Sequence, residues 1–139
     1  MDEIYAGIVY HDVKFHSFCE LAKFTPVIHV NGISKRFMVP GWRCGWSIVH
    51  DPANIFKGRL TDNIIKMSTR LSGPNSLIQS ALPYFLQETS NVWHEEQNQK
   101  IAKAADLFYD GIMKATGLTP IMPNGAMYMM VWLFNFDQF

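Results

Sequence analysis

A loop held between two apolar, β-branched runs constrains this chain more than any other feature. Pro26-Val27-Ile28-His29-Val30 precedes the loop and Trp46-Ser47-Ile48-Val49-His50 follows it. Runs of this kind are expected of strands buried on both faces of a sheet. The loop carries Lys35 in a small-residue turn, Asn31-Gly32-Ile33-Ser34-Lys35. Arg43 follows eight residues later, inside Pro40-Gly41-Trp42-Arg43-Cys44-Gly45.

The rest of the chain supplies helices. Ile8, Val9 and Tyr10 form a short apolar run in a strand end and loop, and a short helix is expected around Phe18 to Ala22. Leu60, Ile64, Met67 and Leu71 recur at helical spacing. Ser72-Gly73-Pro74-Asn75 interrupts that pattern, with a capping residue and proline close behind it, as at the start of a new helix. That helix is expected to bury Leu77, Ile78, Ala81, Leu82, Phe85 and Leu86, with Pro83 as a kink. Ser90-Asn91 opens a longer helix with a buried stripe of Ile101, Ala105, Phe108 and Ile112, ended by Gly117 and Pro120. Pro123-Asn124-Gly125 reads as a turn and Ala126 to Phe134 as a strand. Parallel-type strands followed by helices give an α/β class.

Composition excludes several kinds of function. The 139 residues carry 12 basic and 12 acidic side chains, so no broad attraction to nucleic acid or an anionic membrane is expected. Two cysteines are too few for a disulfide framework and point to a reducing, cytoplasmic setting. No apolar run approaches the roughly 20 residues needed to span a bilayer, and Met1 to Tyr5 does not read as a signal peptide. The chain opens on Asp2 and Tyr5 and closes on Phe134-Asn135-Phe136-Asp137-Gln138-Phe139, so both ends are expected to be cuts through a larger fold.

Lys35 is the sharpest chemical candidate. A lysine forms imines well only when its amine is partly neutral, which burial or nearby positive charge achieves. On its own, a lysine between two apolar strands is more often a solvated loop residue. Gly41 and Gly45 permit close backbone approach to a ligand, and the planar fork of Arg43 suits phosphate oxygens.

With these residues in place, Ser34-Lys35 and Pro40-Gly41-Trp42-Arg43-Cys44-Gly45 resemble the cofactor-attachment site of class I aminotransferases. Asp2-Glu3-Ile4-Tyr5 resembles a second motif of that family at the expected distance upstream. The resemblance implies pyridoxal 5'-phosphate as cofactor, with Lys35 as Schiff-base lysine and proton shuttle. It implies that Arg43 binds the phosphate, with Ser34 the only nearby hydroxyl, because Gly32 stands where some members have serine. Asp2 would pair with the pyridine nitrogen and Tyr5 with the phenolic oxygen. Val39 to Arg43, Leu71-Ser72-Gly73-Pro74 with Gln79, and Pro123-Asn124-Gly125-Ala126-Met127-Tyr128 resemble the tyrosine aminotransferase branch. Ser68 stands where aspartate-preferring relatives carry an arginine, which leaves aromatic donors open.

The implied fold is part of the large pyridoxal-phosphate domain of a fold-type I aminotransferase plus the start of the small α+β domain. Residues 1–90 would be the C-terminal part of the former, and residues 91–139 the connecting helix and the start of the latter. The implied activity is transfer of an amino group from an aromatic, tyrosine-like amino acid to a 2-oxo acid, by a homodimer. The resemblance covers essentially the whole chain but only a middle-to-late portion of the family. The phosphate loop, the stacking ring and the arginine for the substrate's α-carboxylate have no counterpart here. The alternative is therefore a catalytically incomplete fragment acting as a non-enzymatic remnant or interaction module.

Other candidates have plainer readings. His94-Glu95-Glu96-Gln97-Asn98 lacks the second histidine of a zinc-protease helix. His11, His16 and Cys19 are donors scattered over a loop, and no metal site is assigned. Met127, Met129 and Met130 are most simply core filling.

Overall fold

The computed structural model describes residues 1–134; the aromatic run expected over 135–139 lies outside the described residues. The chain divides into two compact units, one comprising Met1–Ala6 and His16–Thr89, the other Gly7–Phe15 and the residues from Ser90 onward.

The first unit is built on strands β1 (Val27–Gly32) and β2 (Gly45–His50). They pair antiparallel, from Val27 opposite His50 to Gly32 opposite Gly45, so the parallel pairing inferred from their apolar composition is not what joins them. Among the described residues, parallel pairing is confined to a single bridge between Asp2 and Val30. Nor is β1 covered on both faces: Val27 is buried, whereas Ile28 and Val30 are 37% and 43% exposed. An apolar run shows that a face can be buried, not that something covers it. A short 3-10 helix, Phe18–Leu21, stands where a helix was expected, capped by the Ser17 side chain.

Helix α1 (Arg59–Ser68) runs into a 3-10 turn over Thr69–Leu71. Helix α2 (Ser76–Glu88) follows, with Pro83 inside its span. The cap of α2 is Asn75 rather than Ser72: Asn75 Oδ1 accepts from the Leu77 N–H at 2.9 Å. Ser72 instead takes a left-handed conformation at the end of the preceding turn. Gln79 Nε2 donates to the Pro74 carbonyl at 2.7 Å and helps fix the entry to α2. Of the expected core face, Ile78, Leu82 and Phe85 pack inward, but Leu77 is 74% exposed and Leu86 is also exposed. Met67 and Leu71, expected on the buried stripe of α1, are exposed as well.

In the second unit, α3 (Asn91–Ile112) begins where expected, with the Ser90 hydroxyl accepting from the Trp93 N–H. It ends five residues before Gly117. Gly117 has φ +79° and instead serves the strand pairing, its carbonyl accepting from the Phe134 N–H at 3.0 Å. Strand β3 (Leu118–Ile121), unexpected from the sequence, pairs antiparallel with β4 (Met130–Leu133). Pro120 thus lies in a strand, which a two-stranded sheet tolerates because each strand has an unpaired edge. The strand expected over Ala126 to Phe134 is confined to its second half. The Ile8–Tyr10 segment is tied to the Pro123–Ala126 turn by Tyr10 N–H to Asn124 O (3.1 Å) and Ala126 N–H to Ile8 O (3.0 Å).

Candidate functional site

All the cofactor candidates, Asp2, Tyr5, Ser34, Lys35 and Arg43, belong to the first unit. Lys35 sits on a single helical turn between β1 and β2. The Phe37 N–H donates to Ile33 O (3.3 Å) and the Met38 N–H to Lys35 O (3.1 Å), while the Ile33 N–H reaches across to Cys44 O (3.2 Å). The turn is anchored from below by Ile33, Phe37 and Cys44, all buried, with Val39, Trp46, Ile78, Leu82 and Phe85 packed against them. Rings of Phe37 and Trp42 lie 5.1 and 5.0 Å from that of Phe85, so α2 supports both halves of the loop.

This packing explains the glycine at position 32. A Cβ there would lie 2.8 Å from the Cys44 carbonyl oxygen and 3.1 Å from Gly45 Cα, so the two strand ends approach closely only because both residues are glycine. A Cβ on Gly45 would likewise lie 3.0 Å from the Asn31 carbonyl oxygen, whereas one on Gly41 would meet nothing within 4 Å. The approach that Gly45 permits is therefore to the partner strand rather than to a ligand.

The Lys35 amine, on a half-buried side chain, lies 5.8 Å from the centroid of the Tyr5 ring. Asp2 is brought alongside by backbone pairing: the Glu3 N–H donates to Val30 O (2.9 Å) and the Val30 N–H to Met1 O (2.8 Å). The Asp2 carboxylate accepts from the Ile4 N–H at 3.0 Å. Arg43 takes a left-handed conformation, φ +51°, sparsely populated by arginine. Its Nη1 donates to Pro40 O at 3.0 Å, and its side chain is exposed. Geometry thus joins Lys35 to Tyr5 directly, sets Asp2 beside β1, and puts Arg43 at the far end of the same loop.

Glu3 is not among the residues that the sequence singles out, although it lies inside the Asp2–Tyr5 motif. It is 7% exposed, and its carboxylate accepts from the Ser17 hydroxyl (2.9 and 3.2 Å) and the Phe18 N–H (2.6 Å). It pins the 3-10 helix to the Asp2–Tyr5 motif.

Comparison with known proteins places this geometry. The family "Aminotransferase class I and II" matches residues 1–135. The chain belongs to this family. It is 38% identical to mouse tyrosine aminotransferase over 130 residues, 94% of this chain and 29% of that protein. It is 41% identical to tyrosine aminotransferase of Caenorhabditis elegans over 133 residues, 94% of this chain and 28% of that protein. Among solved structures, an alanine aminotransferase from Pyrococcus furiosus superposes with a TM-score of 0.83 at 28% identity, covering 94% of this chain and 32% of that one. A tyrosine aminotransferase from Leishmania infantum gives 0.82 at 26% identity, over 90% and 30%. The chain therefore spans under a third of the length of these relatives. Its α/β architecture is that of the aminotransferases, and among its described residues no helix is long and apolar enough to cross a membrane.

Proposed function

We infer that this chain forms the lysine-bearing wall of a pyridoxal 5'-phosphate-dependent aminotransferase acting on an aromatic amino acid and a 2-oxo acid. The observation that carries the reading is the Lys35 turn. It presents an amine 5.8 Å from the Tyr5 ring on a segment whose backbone is fixed by the core beneath it. The donor set fits the cofactor. An amine is available for an aldehyde, a guanidinium and a hydroxyl for a phosphate, a carboxylate for a protonated ring nitrogen and a phenol for a ring oxygen.

When bound, the cofactor supplies an aldehyde and an electron-accepting ring. Lys35 would be its covalent anchor and the base that takes a proton from the substrate α-carbon and later returns one. Arg43, with Ser34, would hold the phosphate through charge-assisted hydrogen bonds. Asp2 would keep the ring nitrogen protonated, and Tyr5 would donate its hydroxyl to the phenolic oxygen. The similarity to tyrosine aminotransferases, with Ser68 in place of an arginine, favours an aromatic donor. We read residues 1–90 as large-domain chain and the portion from 91 onward as the connecting helix and small-domain start. The intact enzyme would be a cytoplasmic homodimer.

Borohydride reduction of the purified chain with pyridoxal phosphate tests this. Wild type should be labelled at Lys35, and Lys35→Ala should lose essentially all of that label. Equal labelling of the variant, or none of the wild type, overturns the site. Transamination of tyrosine with 2-oxoglutarate then separates an enzyme from a chain that binds cofactor without turnover.

A further inference from the structure

We propose that the first unit contains a binding site for a divalent transition metal, zinc above all, made by Cys19, His29 and His50. The antiparallel register creates it. Val27 is opposite His50 and His29 is opposite Ile48, so the two histidines are diagonal neighbours on one face of the β1–β2 pair. Their ring centroids are 6.4 Å apart. The 3-10 helix brings Cys19 over the same face, and one donor atom from each of the three residues lies within 4.8 Å of the others.

A tetrahedral zinc ion with bonds of about 2.0–2.3 Å sets its donors about 3.5 Å apart, so the cluster closes on an ion by shifts of about an ångström. One thiolate and two imidazoles are a donor set that selects zinc over magnesium or calcium. All three residues are partly buried, which leaves a fourth position for water.

A second observation marks the site. His29 Nε2 is buried and faces Glu3 Oε2 at 3.3 Å, outside hydrogen-bond geometry, which leaves Nδ1 as the nitrogen for a metal. The Glu3 carboxylate is occupied instead by Ser17 and by the Phe18 N–H, next to Cys19. A carboxylate there favours a cation and orients the ring of a ligating histidine. Glu3 is thus a positioning residue for both the histidine and the helix carrying the thiol. Metal binding releases the Cys19 thiol proton to solvent and clips the 3-10 helix to the sheet. The triad considered from sequence, His11, His16 and Cys19, is not assembled. His11 is engaged within the second unit by Asp106 and the Pro123 carbonyl, and His16 faces Glu20.

The test uses the purified chain without pyridoxal phosphate, so its outcome is independent of the reading of Lys35. Zinc should bind with one-to-one stoichiometry, and cobalt should give a thiolate charge-transfer band with tetrahedral d–d bands. Cys19→Ser and His50→Ala should each weaken zinc by at least about a hundredfold, and Glu3→Gln by about tenfold or more. His16→Ala should leave binding unchanged. In the wild type, where folding is not in question, zinc should protect Cys19 from alkylation. Cobalt binding without the thiolate band, zinc that fails to protect Cys19, or unchanged affinity in Cys19→Ser overturns the proposal.

Discussion

The two units hold their key segments by different means. In the first, the Lys35 loop rests on side-chain packing: Ile33, Phe37 and Cys44 are 1%, 6% and 4% exposed, and Phe85 of α2 packs against them. In the second, hydrogen bonds tie together segments distant in sequence. The Tyr10 hydroxyl donates to the Gly125 carbonyl at 3.1 Å, His11 meets Asp106 at 3.0 Å, and Asn98 Nδ2 donates to Gly7 O at 2.9 Å. There α3 leaves an apolar groove of about 430 Å³ beside Ile101, Ala105, Phe108 and Met129, and Phe108, expected in the core, is 60% exposed. Lys35, the residue proposed to bond the cofactor, sits on a turn packed over buried Ile33, Phe37 and Cys44.

The difference can be broken experimentally. Phe37→Ala should have the largest effect, about 3 kcal/mol or more of lost stability in urea unfolding, because it empties the space under the lysine turn. It should also diminish borohydride labelling of Lys35. Gly32→Ala should cost about 2 kcal/mol, since its Cβ would meet backbone atoms that cannot rotate away. A smaller loss would show that the strand ends separate more easily than their packing implies.

Tyr10→Phe should cost the second unit about 1 kcal/mol and also change its response to alkali. Burial pushes the Tyr10 phenol above its ordinary value of 10.0, and Asp106 adds in the same direction. The folded state therefore holds that proton more tightly than the unfolded one. The associated stability is full below pH 10 and is lost as pH rises through the higher folded value. Alkaline unfolding followed by circular dichroism should be less steep in the variant. Leu71→Ser should have the smallest effect, within about 0.5 kcal/mol, because this leucine, expected in the core, is 82% exposed. A loss comparable to that of Phe37→Ala would mean that α1 is held by contacts of the same kind as the lysine turn.

By itself the sequence determined the family, the long helix capped by Ser90, and the two strands around the loop, and it supplied the residues proposed for cofactor chemistry. These signals are local: a cap, a run of apolar residues, or a motif spread over a few positions. Tertiary structure decided what depends on partners distant in the chain. The antiparallel register of β1 and β2, the requirement for Gly32, the role of Glu3 and the meeting of Cys19 with His29 and His50 all arise there. Burial of Leu71, Leu77 and Phe108 failed for the same reason. Periodicity shows which side of a helix is apolar, while exposure depends on whether another part of the chain lies against it. Pro120 and Gly117, expected as helix stops, belong to a strand and its pairing, because a breaker marks an interruption without specifying the element beyond it.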